Sequence, residues 1–170
     1  MIHVCSLARL HATVEETGAR HIVTLINADT EVPRPEYVLA EDHLFLAMHD
    51  IIEELTGYTA PSEEHVHQLI AFVQRWPRQT PLVVHCYAGI SRSTAAAFIA
   101  ACAVNPARDE AVIAQTLRRL SPTAIPNARL VAHADRILAR HGRMIRAIEG
   151  IGRADACYEG TPFRLDLDPA

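Results

Sequence analysis

The chain has 170 residues, of which 49% are hydrophobic and 21% charged, and its formal net charge is −4. This composition predicts one packed globular domain spanning residues 1–170 and excludes a disordered chain. The negative charge argues against nucleic acid as a partner, and no run reaches the about 18 apolar residues of a membrane span.

Four short runs rich in apolar and β-branched residues predict strands. The last of them is continuously apolar, as is typical of a strand in the centre of a sheet. These strands alternate along the chain with helical patterns, which predicts an α/β domain. The predicted strands are Val4–Leu7, Ile22–Ile26, Leu44–Met48 and Leu82–His85.

Apolar residues at helical spacing predict the helices that separate and follow these strands. Turn-forming residues predict a loop over Asn27–Pro35, and from Arg153 onward a weak alternation predicts an irregular strap over residues 153–170. The predicted helices are Val14–Arg20, one from Ser62 to the pair Trp76-Pro77, Ser93–Val104, Asp109–Leu120, one from Asn127 to about Ala139, and Arg143–Ile148.

The segment that carries chemistry follows the fourth predicted strand and reads HCYAGISRS. The strand ends at His85-Cys86, a six-residue loop follows, and a helix begins at Ser93. Successive amides of a loop wrapped at a helix N-terminus form an anion-binding cradle. Gly89 supplies the backbone freedom that such a wrap requires. Arg92 can add a guanidinium fork to two oxygens of the anion.

Cys86 lies at the base of this predicted cradle. The loop amides, the helix dipole and Arg92 would all favour its thiolate over its thiol. A thiolate beneath a bound phosphate is aligned for in-line attack on phosphorus. The chain contains no lysine, so lysine-based phosphate binding and catalysis are excluded. The alternative interpretation is a buried structural cysteine beside a helix cap.

The sequence HCYAGISRS resembles the C-x5-R-[ST] signature of the protein tyrosine phosphatase superfamily, and the preceding histidine and compact length are most similar to its dual-specificity branch and bacterial relatives. The resemblance implies a mixed, mainly parallel sheet flanked by helices, and a two-step hydrolysis through a phosphocysteine that needs no metal or cofactor. The implied roles are nucleophile for Cys86, phosphate clamp for Arg92, oxygen binding by the amides of Tyr87, Ala88, Gly89, Ile90, Ser91 and Arg92, a hydrogen bond from Ser93 to the sulfur, and support of the loop by His85.

The resemblance also implies an aspartic general acid on a loop upstream of the nucleophile. Asp50 follows the strand Leu44–Met48, so we expect it at the sheet edge where α/β folds bind ligands. Such acid catalysis contributes about 10²–10⁴-fold. Asp29 also follows a predicted strand and is the alternative, whereas Asp42 precedes its strand and should lie at the opposite edge.

A second similarity to the superfamily lies downstream of the signature. The segment LSPTAIPN resembles the stretch in which an asparagine or serine ties down the phosphate loop, and Asn127 occupies that position. The alternative for Asn127 is a plain helix N-cap.

The expected activity is hydrolysis of phosphate monoesters, with a phosphorylated protein or a small phosphomonoester as partner. The variable loop positions Tyr87, Ala88, Ile90 and Ser91 carry no charge, which favours a singly phosphorylated substrate such as protein phosphotyrosine. Alternatives are a phosphoinositide or small-molecule phosphatase, a pseudophosphatase that binds phosphoproteins without turnover, and a sulfur- or arsenic-handling thiolate enzyme.

The four cysteines are scattered without a C-x-x-C pair, which is typical of free thiols in a reducing compartment. The N-terminus lacks a basic flank and soon reaches the acidic pair Glu15-Glu16, so we expect no secretory signal and a cytoplasmic protein. We expect Cys5, Cys102 and Cys157 to be inert apolar residues, with a resolving partner for oxidised Cys86 as the alternative.

Overall fold

A five-stranded sheet organises the computed structural model, which describes residues 1–167. In chain order the strands are β1 (Ile2–Ser6), β2 (His21–Ile26), β3 (His43–Ala47), β4 (Leu82–Cys86) and β5 (Phe163–Leu165). Their order across the sheet is β3-β2-β4-β1-β5, with β5 antiparallel to β1 and the other pairs parallel. The expected mixed, mainly parallel α/β fold is confirmed.

Helices cover both faces of this sheet. In chain order they are α1 (Leu10–Thr17), α2 (Glu63–Arg75), α3 (Arg92–Val104), α4 (Glu110–Leu120), α5 (Ala128–Ile137) and α6 (Arg143–Glu149). On one face α1 packs over a small cluster that includes Leu10, Val14 and Val83. The other face carries the main core, formed with the remaining helices. Alternate strand residues point to the two clusters, as the pleat requires.

Helix α3 is the central helix of the main core. Every residue from Arg92 to Cys102 is buried, and α3 contacts α2, α4, α5 and the strands β1, β2 and β4. Its many alanines let these neighbours approach closely, since a small side chain keeps the helix axis near the sheet. The start of α3 is therefore firmly held, and it is the start that carries the chemical motif.

Three parts of the chain differ from the sequence-based expectation. Strand β1 begins at Ile2, two residues before the predicted Val4, and Leu7 lies in the turn of helix that follows it. Helix α1 begins at Leu10, four residues before the predicted start, and ends where Gly18 takes a left-handed conformation with φ 66°. The tail is not wholly irregular, because Phe163–Leu165 forms the edge strand β5 with its outer two side chains buried. Residues 168–170 of the predicted strap lie outside the described residues.

The carboxyl ends of the parallel strands meet at one edge of the sheet. The phosphate-binding candidate loop leaves β4 at this edge, and the segment 48–62 leaves β3 beside it. The tail also reaches this edge, where the amide of Gly160 donates to the carbonyl of Ala88 (2.9 Å). Over residues 1–167, no helix is long and apolar enough to cross a membrane.

Candidate active site

The loop between β4 and α3 is a tight wrap packed against the end of β1. Gly89 adopts φ 74°, and a Cβ at this position would lie 2.9 Å from backbone atoms of Cys5 and Ser6. The amide of Leu7 donates to the carbonyl of Tyr87 (3.1 Å), which anchors the loop to the same segment. Glycine is thus required here twice, by the backbone angle and by the close approach.

The sulfur of Cys86 lies at the bottom of this loop and is nearly inaccessible. The amide of Gly89 donates to Sγ at 3.3 Å, and the Ser93 hydroxyl lies 3.2 Å from it. A thiolate only accepts hydrogen bonds, so with an ionised sulfur both groups are donors. The structure therefore surrounds the sulfur with the partners that a thiolate needs.

Arg92 is buried at the first position of α3, and its guanidinium is oriented by the neighbouring strand segment. Its Nη1 donates to the carbonyl of Met48 at 2.8 Å. Its Nε is buried and has no hydrogen-bond acceptor among the described residues. A buried guanidinium N–H without an acceptor is costly. An oxyanion in the loop would supply that acceptor.

The structure places Asp50 at the same cavity, after the end of β3. Its Oδ1 accepts hydrogen bonds from the Ser91 hydroxyl (2.7 Å) and from Nδ2 of Asn127 (2.8 Å). Its Oδ2 lies 3.9 Å from Nε of Arg92, and the side chain is 38% exposed. One carboxylate oxygen is therefore fixed by neutral donors, while the other faces the phosphate position.

Asp29, the alternative general acid, lies elsewhere. It is fully exposed, and a hydrogen bond from Asn27 (3.2 Å) lowers the pKa of its carboxyl. It does not line the cavity that holds Cys86 and Asp50. Of the two aspartates, only Asp50 is within reach of a group bound at Cys86.

Asn127 caps α5, and the other hydrogen bonds of its side chain go to Asp50 and the segment after it. Its Oδ1 accepts from the amide of Leu130 (3.1 Å) and so caps α5. Its Nδ2 donates to Asp50 and to the carbonyl of Ile51 (3.3 Å). The side chain thus contacts Asp50 and its loop, whereas the backbone amide of Asn127 contacts the phosphate loop by donating to the carbonyl of Ser91 (3.4 Å).

His85 lies behind the phosphate loop and is completely buried. Burial lowers the pKa of its imidazole to about 4, so the ring is neutral near pH 7. Its Nδ1 lies 3.4 Å from the Cys86 carbonyl, and its Nε2 lies 2.7 Å from the Thr24 hydroxyl. Sequence reasoning missed Thr24, and the one available signal was a polar residue inside the apolar run of β2.

A cavity of about 1010 Å³ opens above Cys86. Its walls are largely apolar. In the part of the lining that the structure describes, Arg92 is the one basic residue, and Asp50 and Glu53 supply two carboxylates. Tyr87 belongs to the sequence motif, whereas the other wall residues named below come from segments without a periodic pattern, so the sequence did not reveal them. The apolar wall residues include Ile51, Ile52, Leu55, Tyr87, Ile125 and Pro126.

A second cavity of about 530 Å³ adjoins the first. The two share Ile90, Ile125, Pro126 and Cys157, and Ile125 stands 59% exposed between them. One wall of the second cavity is held by Arg118, whose guanidinium donates to the carbonyls of residues 121, 122, 151 and 152. The two cavities together form a groove that leads away from Cys86.

The cysteines other than Cys86 fall into two groups. Cys5 and Cys102 are buried, and burial raises the pKa of each thiol to about 12, so both match the expectation of inert residues. Cys157 differs from that expectation, because it is exposed and lines the cavity above Cys86. Among residues 1–167, no group of three or more His, Cys, Asp or Glu side chains is arranged to hold a metal ion.

Residues 54–102 match the PTP-like phytase family, whose description names inositol hexakisphosphate. No curated protein sequence matches the chain. Among solved structures, DUSP15 is similar with a TM-score of 0.64 at 17% identity, covering 89% of this chain and 92% of that one. Human DUSP28 gives 0.63 at 17% identity, covering 82% and 89%.

A third similar structure is PTPMT1 in complex with PI(5)P, with a TM-score of 0.60 at 15% identity, covering 83% of this chain and 94% of that one. The chain therefore shares the fold of dual-specificity and related phosphatases over most of its length. These likenesses establish the fold, while the chemistry depends on the side chains described above.

Proposed function

We propose that this chain is a cysteine-dependent phosphatase of the protein tyrosine phosphatase superfamily, acting on protein phosphotyrosine. One observation carries the proposal. Cys86, Arg92 and Asp50 all line one cavity at the end of β4, and the buried Nε of Arg92 has no hydrogen-bond acceptor among the described residues. They supply a nucleophile, an anion clamp and an acid for a single reaction.

In the first step the Cys86 thiolate attacks phosphorus. The S–P bond forms as the bond to the leaving oxygen breaks, and the loop amides with Arg92 stabilise the equatorial oxygens. Protonated Asp50 gives its proton to the leaving oxygen. Because Oδ1 is occupied by Ser91 and Asn127, Oδ2 is the oxygen that carries this proton.

In the second step water attacks the phosphocysteine. The Asp50 carboxylate takes a proton from the water, the S–P bond breaks, and inorganic phosphate leaves. The Ser93 hydroxyl, 3.2 Å from Sγ, donates to the departing thiolate. Asp50 is thereby reprotonated and Cys86 is again ionised for the next turnover.

The charges around the cavity support a singly phosphorylated substrate. Inositol hexakisphosphate carries many negative charges and would need several cations near the phosphate position. The cavity above Cys86 offers Arg92 beside two carboxylates, and Arg118 and Arg153 line the second cavity. Glu53 has no ion-pair partner among the described residues and would repel additional phosphates. The apolar walls suit an aromatic leaving group such as tyrosine.

The shape of the site supports a peptide rather than a free metabolite. The second cavity continues the groove beyond Ile125, so residues flanking a phosphotyrosine have a surface to contact. A small phosphomonoester would fill the first cavity only.

The first test is hydrolysis of p-nitrophenyl phosphate with a reductant and a chelator present. We expect turnover by the native protein, none by Cys86→Ser, and a loss of about 10²-fold or more for Asp50→Asn. Asp29→Asn is the matched control and should act like the native chain. A folded, reduced native protein without turnover would contradict the proposal and favour a phosphoprotein-binding module.

The second test compares substrates at equal enzyme concentration. We expect kcat/KM to be highest for a phosphotyrosyl peptide, lower for the matching phosphoseryl peptide, and lowest for inositol hexakisphosphate and for PI(5)P in mixed micelles. A preference for either inositol compound would overturn the phosphotyrosine assignment while leaving the cysteine mechanism in place.

A further inference from the structure

One hydroxyl group links two histidine rings behind the phosphate loop. Thr24 lies in the middle of β2 and is completely buried. Its Oγ1 is 2.7 Å from Nε2 of His85 and 2.7 Å from Nε2 of His43. Thr24 and His85 are register partners on neighbouring strands, whereas His43 begins β3 and is partly buried.

The direction of the inner hydrogen bond follows from the protons available. The Cys86 carbonyl can only accept, so the His85 Nδ1 that faces it at 3.4 Å carries a hydrogen. The ring is neutral near pH 7, because burial lowers the pKa of His85 to about 4. A neutral imidazole has one N–H, so its Nε2 is bare and accepts the hydroxyl hydrogen of Thr24.

The direction of the outer hydrogen bond then follows as well. The hydroxyl of Thr24 has one hydrogen, and His85 takes it. The same oxygen must therefore accept from Nε2–H of His43. The chain of donation runs from His43 to Thr24, on to His85, and ends at the Cys86 carbonyl. Hydrogen bonds aligned in one direction polarise and strengthen one another in a low-dielectric interior.

We propose that Thr24 and His43 are positioning residues of the catalytic cysteine, which they serve by holding His85 in the tautomer that donates to the Cys86 carbonyl. In the opposite tautomer the bare Nδ1 of His85 would face that carbonyl and repel it. The peptide that starts the phosphate loop would then be free to rotate away from the sulfur. The chain thus keeps the loop amides directed at Cys86 and favours its thiolate form.

The surroundings of His43 fit the role of a neutral donor. Burial, and secondarily the nearby Arg34, lower the pKa of His43, so its ring is neutral at pH 7 and has one N–H to place. Phe45 lies beside it, with ring centroids 6.5 Å apart. Two neutral imidazoles and one hydroxyl can satisfy both 2.7 Å contacts in either of two directions. Of these two, only the direction given above also supplies the Cys86 carbonyl with a donor.

The test measures alkylation of Cys86 by iodoacetate as a function of pH. All variants carry Cys157→Ser, because Cys157 is exposed and would react as well. Thr24→Val removes the hydroxyl at equal size, and Thr24→Ser retains it. His43→Leu removes the donor, and His43→Gln can restore one through its amide N–H.

We expect Thr24→Val and His43→Leu to shift the midpoint of the alkylation profile to higher pH. At pH values below the native midpoint, the thiolate fraction of Cys86 should be about tenfold smaller than in the native sequence. Thr24→Ser and His43→Gln should retain the original midpoint. An unchanged midpoint in folded Thr24→Val, or equal shifts in Thr24→Val and Thr24→Ser, would overturn the inference. If Thr24→Val does not fold, the same comparison is made between His43→Leu and His43→Gln, and an unchanged midpoint in His43→Leu or equal shifts in both would overturn the inference.

A direct measurement of the tautomer completes the test. Long-range nitrogen–proton NMR of the native protein should show the hydrogen of His85 on Nδ1 and that of His43 on Nε2. The reverse assignment at either ring would overturn the inference. Neither experiment requires turnover, so an inactive native protein with the expected alkylation profile would contradict the proposed function and leave this inference standing.

Discussion

Arg92 combines two tasks that a different cation could not perform together. Its Nη1 is held by the Met48 carbonyl, while its buried Nε has no acceptor among the described residues and lies 3.9 Å from Oδ2 of Asp50. The planar guanidinium makes this possible, because its donors have fixed and different directions. A lysine would provide a single charged group and would have to choose between the carbonyl and the phosphate.

Replacing Arg92 by Lys therefore tests geometry at constant charge. We expect kcat/KM for p-nitrophenyl phosphate to fall about 10²–10³-fold, as for loss of one preorganised oxyanion donor. Arg164→Lys is the control, since Arg164 is exposed and pairs with Asp166 at 3.0 Å. A loss below about tenfold would show that charge alone holds the phosphate.

Asn127 allows the helix cap and the acid contact to be separated. Asn127→Ser keeps a capping oxygen but loses the Nδ2 that donates to Asp50. We expect kcat to fall about tenfold with little change in the melting temperature. Asn127→Ala should show the same kcat loss together with about 1 kcal/mol of lost stability. Equal melting temperatures for the two variants would refute the capping role.

At the scale of single residues, the sequence revealed those groups that lie in one contiguous motif. Cys86 and Arg92 are separated by a fixed loop, so their spacing carries the geometry. Thr24 and His43 could not be found in this way, because Thr24 lies 61 residues from His85 and 19 from His43. The parallel pairing of β2 with β4 brings Thr24 to His85, and the parallel pairing of β2 with β3 brings His43 to Thr24.

Among the elements, the phosphate loop is the one with least room for change. A Cβ at position 89 would lie too close to the backbone of Cys5 and Ser6, and a backbone cannot move aside as a flexible side chain can. Gly57 offers a matched comparison, because it also has a positive φ (84°) but nothing lies within 4 Å of its Cβ position.

Gly89→Ala should therefore be much worse than Gly57→Ala. We expect the Gly57 variant to lose about 1 kcal/mol from backbone strain alone and to remain active. The Gly89 variant should lose more stability and most of its turnover, because the loop must withdraw from β1. Thermal melts and p-nitrophenyl phosphate assays would check both, and equal behaviour would contradict a role for the close approach.

The elements also show what a sequence pattern can and cannot reveal. Helix α2 follows its predicted start closely, because Ser62 caps it and Glu63 and Glu64 occupy its first turn. Strand β5 is only three residues long and depends on pairing with β1, so its own sequence carried little signal. The cavity walls at Ile52 and Leu55 lie in a segment without secondary structure, where no periodicity exists to read.

The fold lowers the pKa values of one buried and several partly buried histidines. Burial lowers the pKa of His85 to about 4 and also lowers the pKa values of His43, His65 and His133. In the unfolded chain these rings would titrate near the ordinary value of 6.5. Between the two values the unfolded state binds more protons, so folding stability decreases as the pH falls.

We therefore expect acid to destabilise the protein well before its carboxylates are protonated. The free energy of unfolding should decrease between about pH 6.5 and about pH 4, with His85 contributing on the order of 1–3 kcal/mol. Urea unfolding at about pH 7.5 and about pH 4.5 would measure this. His43→Gln should reduce the decrease, and a flat profile for the native chain would show that folding does not lower the pKa values of these rings.

At the scale of the molecule, the α/β alternation was sufficient to predict the class of fold, because each strand run and each helical run has its own period. The substrate was not predictable to the same degree, since it depends on walls contributed by three distant segments around Ile52, Ile125 and Cys157.

The tail adds a consequence for protein synthesis. Gly160 donates to Ala88 within the phosphate loop, and β5 pairs with β1, the first strand of the chain. The loop is thus synthesised before Gly160, the residue that gives it this hydrogen bond. A nascent chain that still holds residue 160 inside the ribosome has its catalytic motif in full and lacks the contact that braces it.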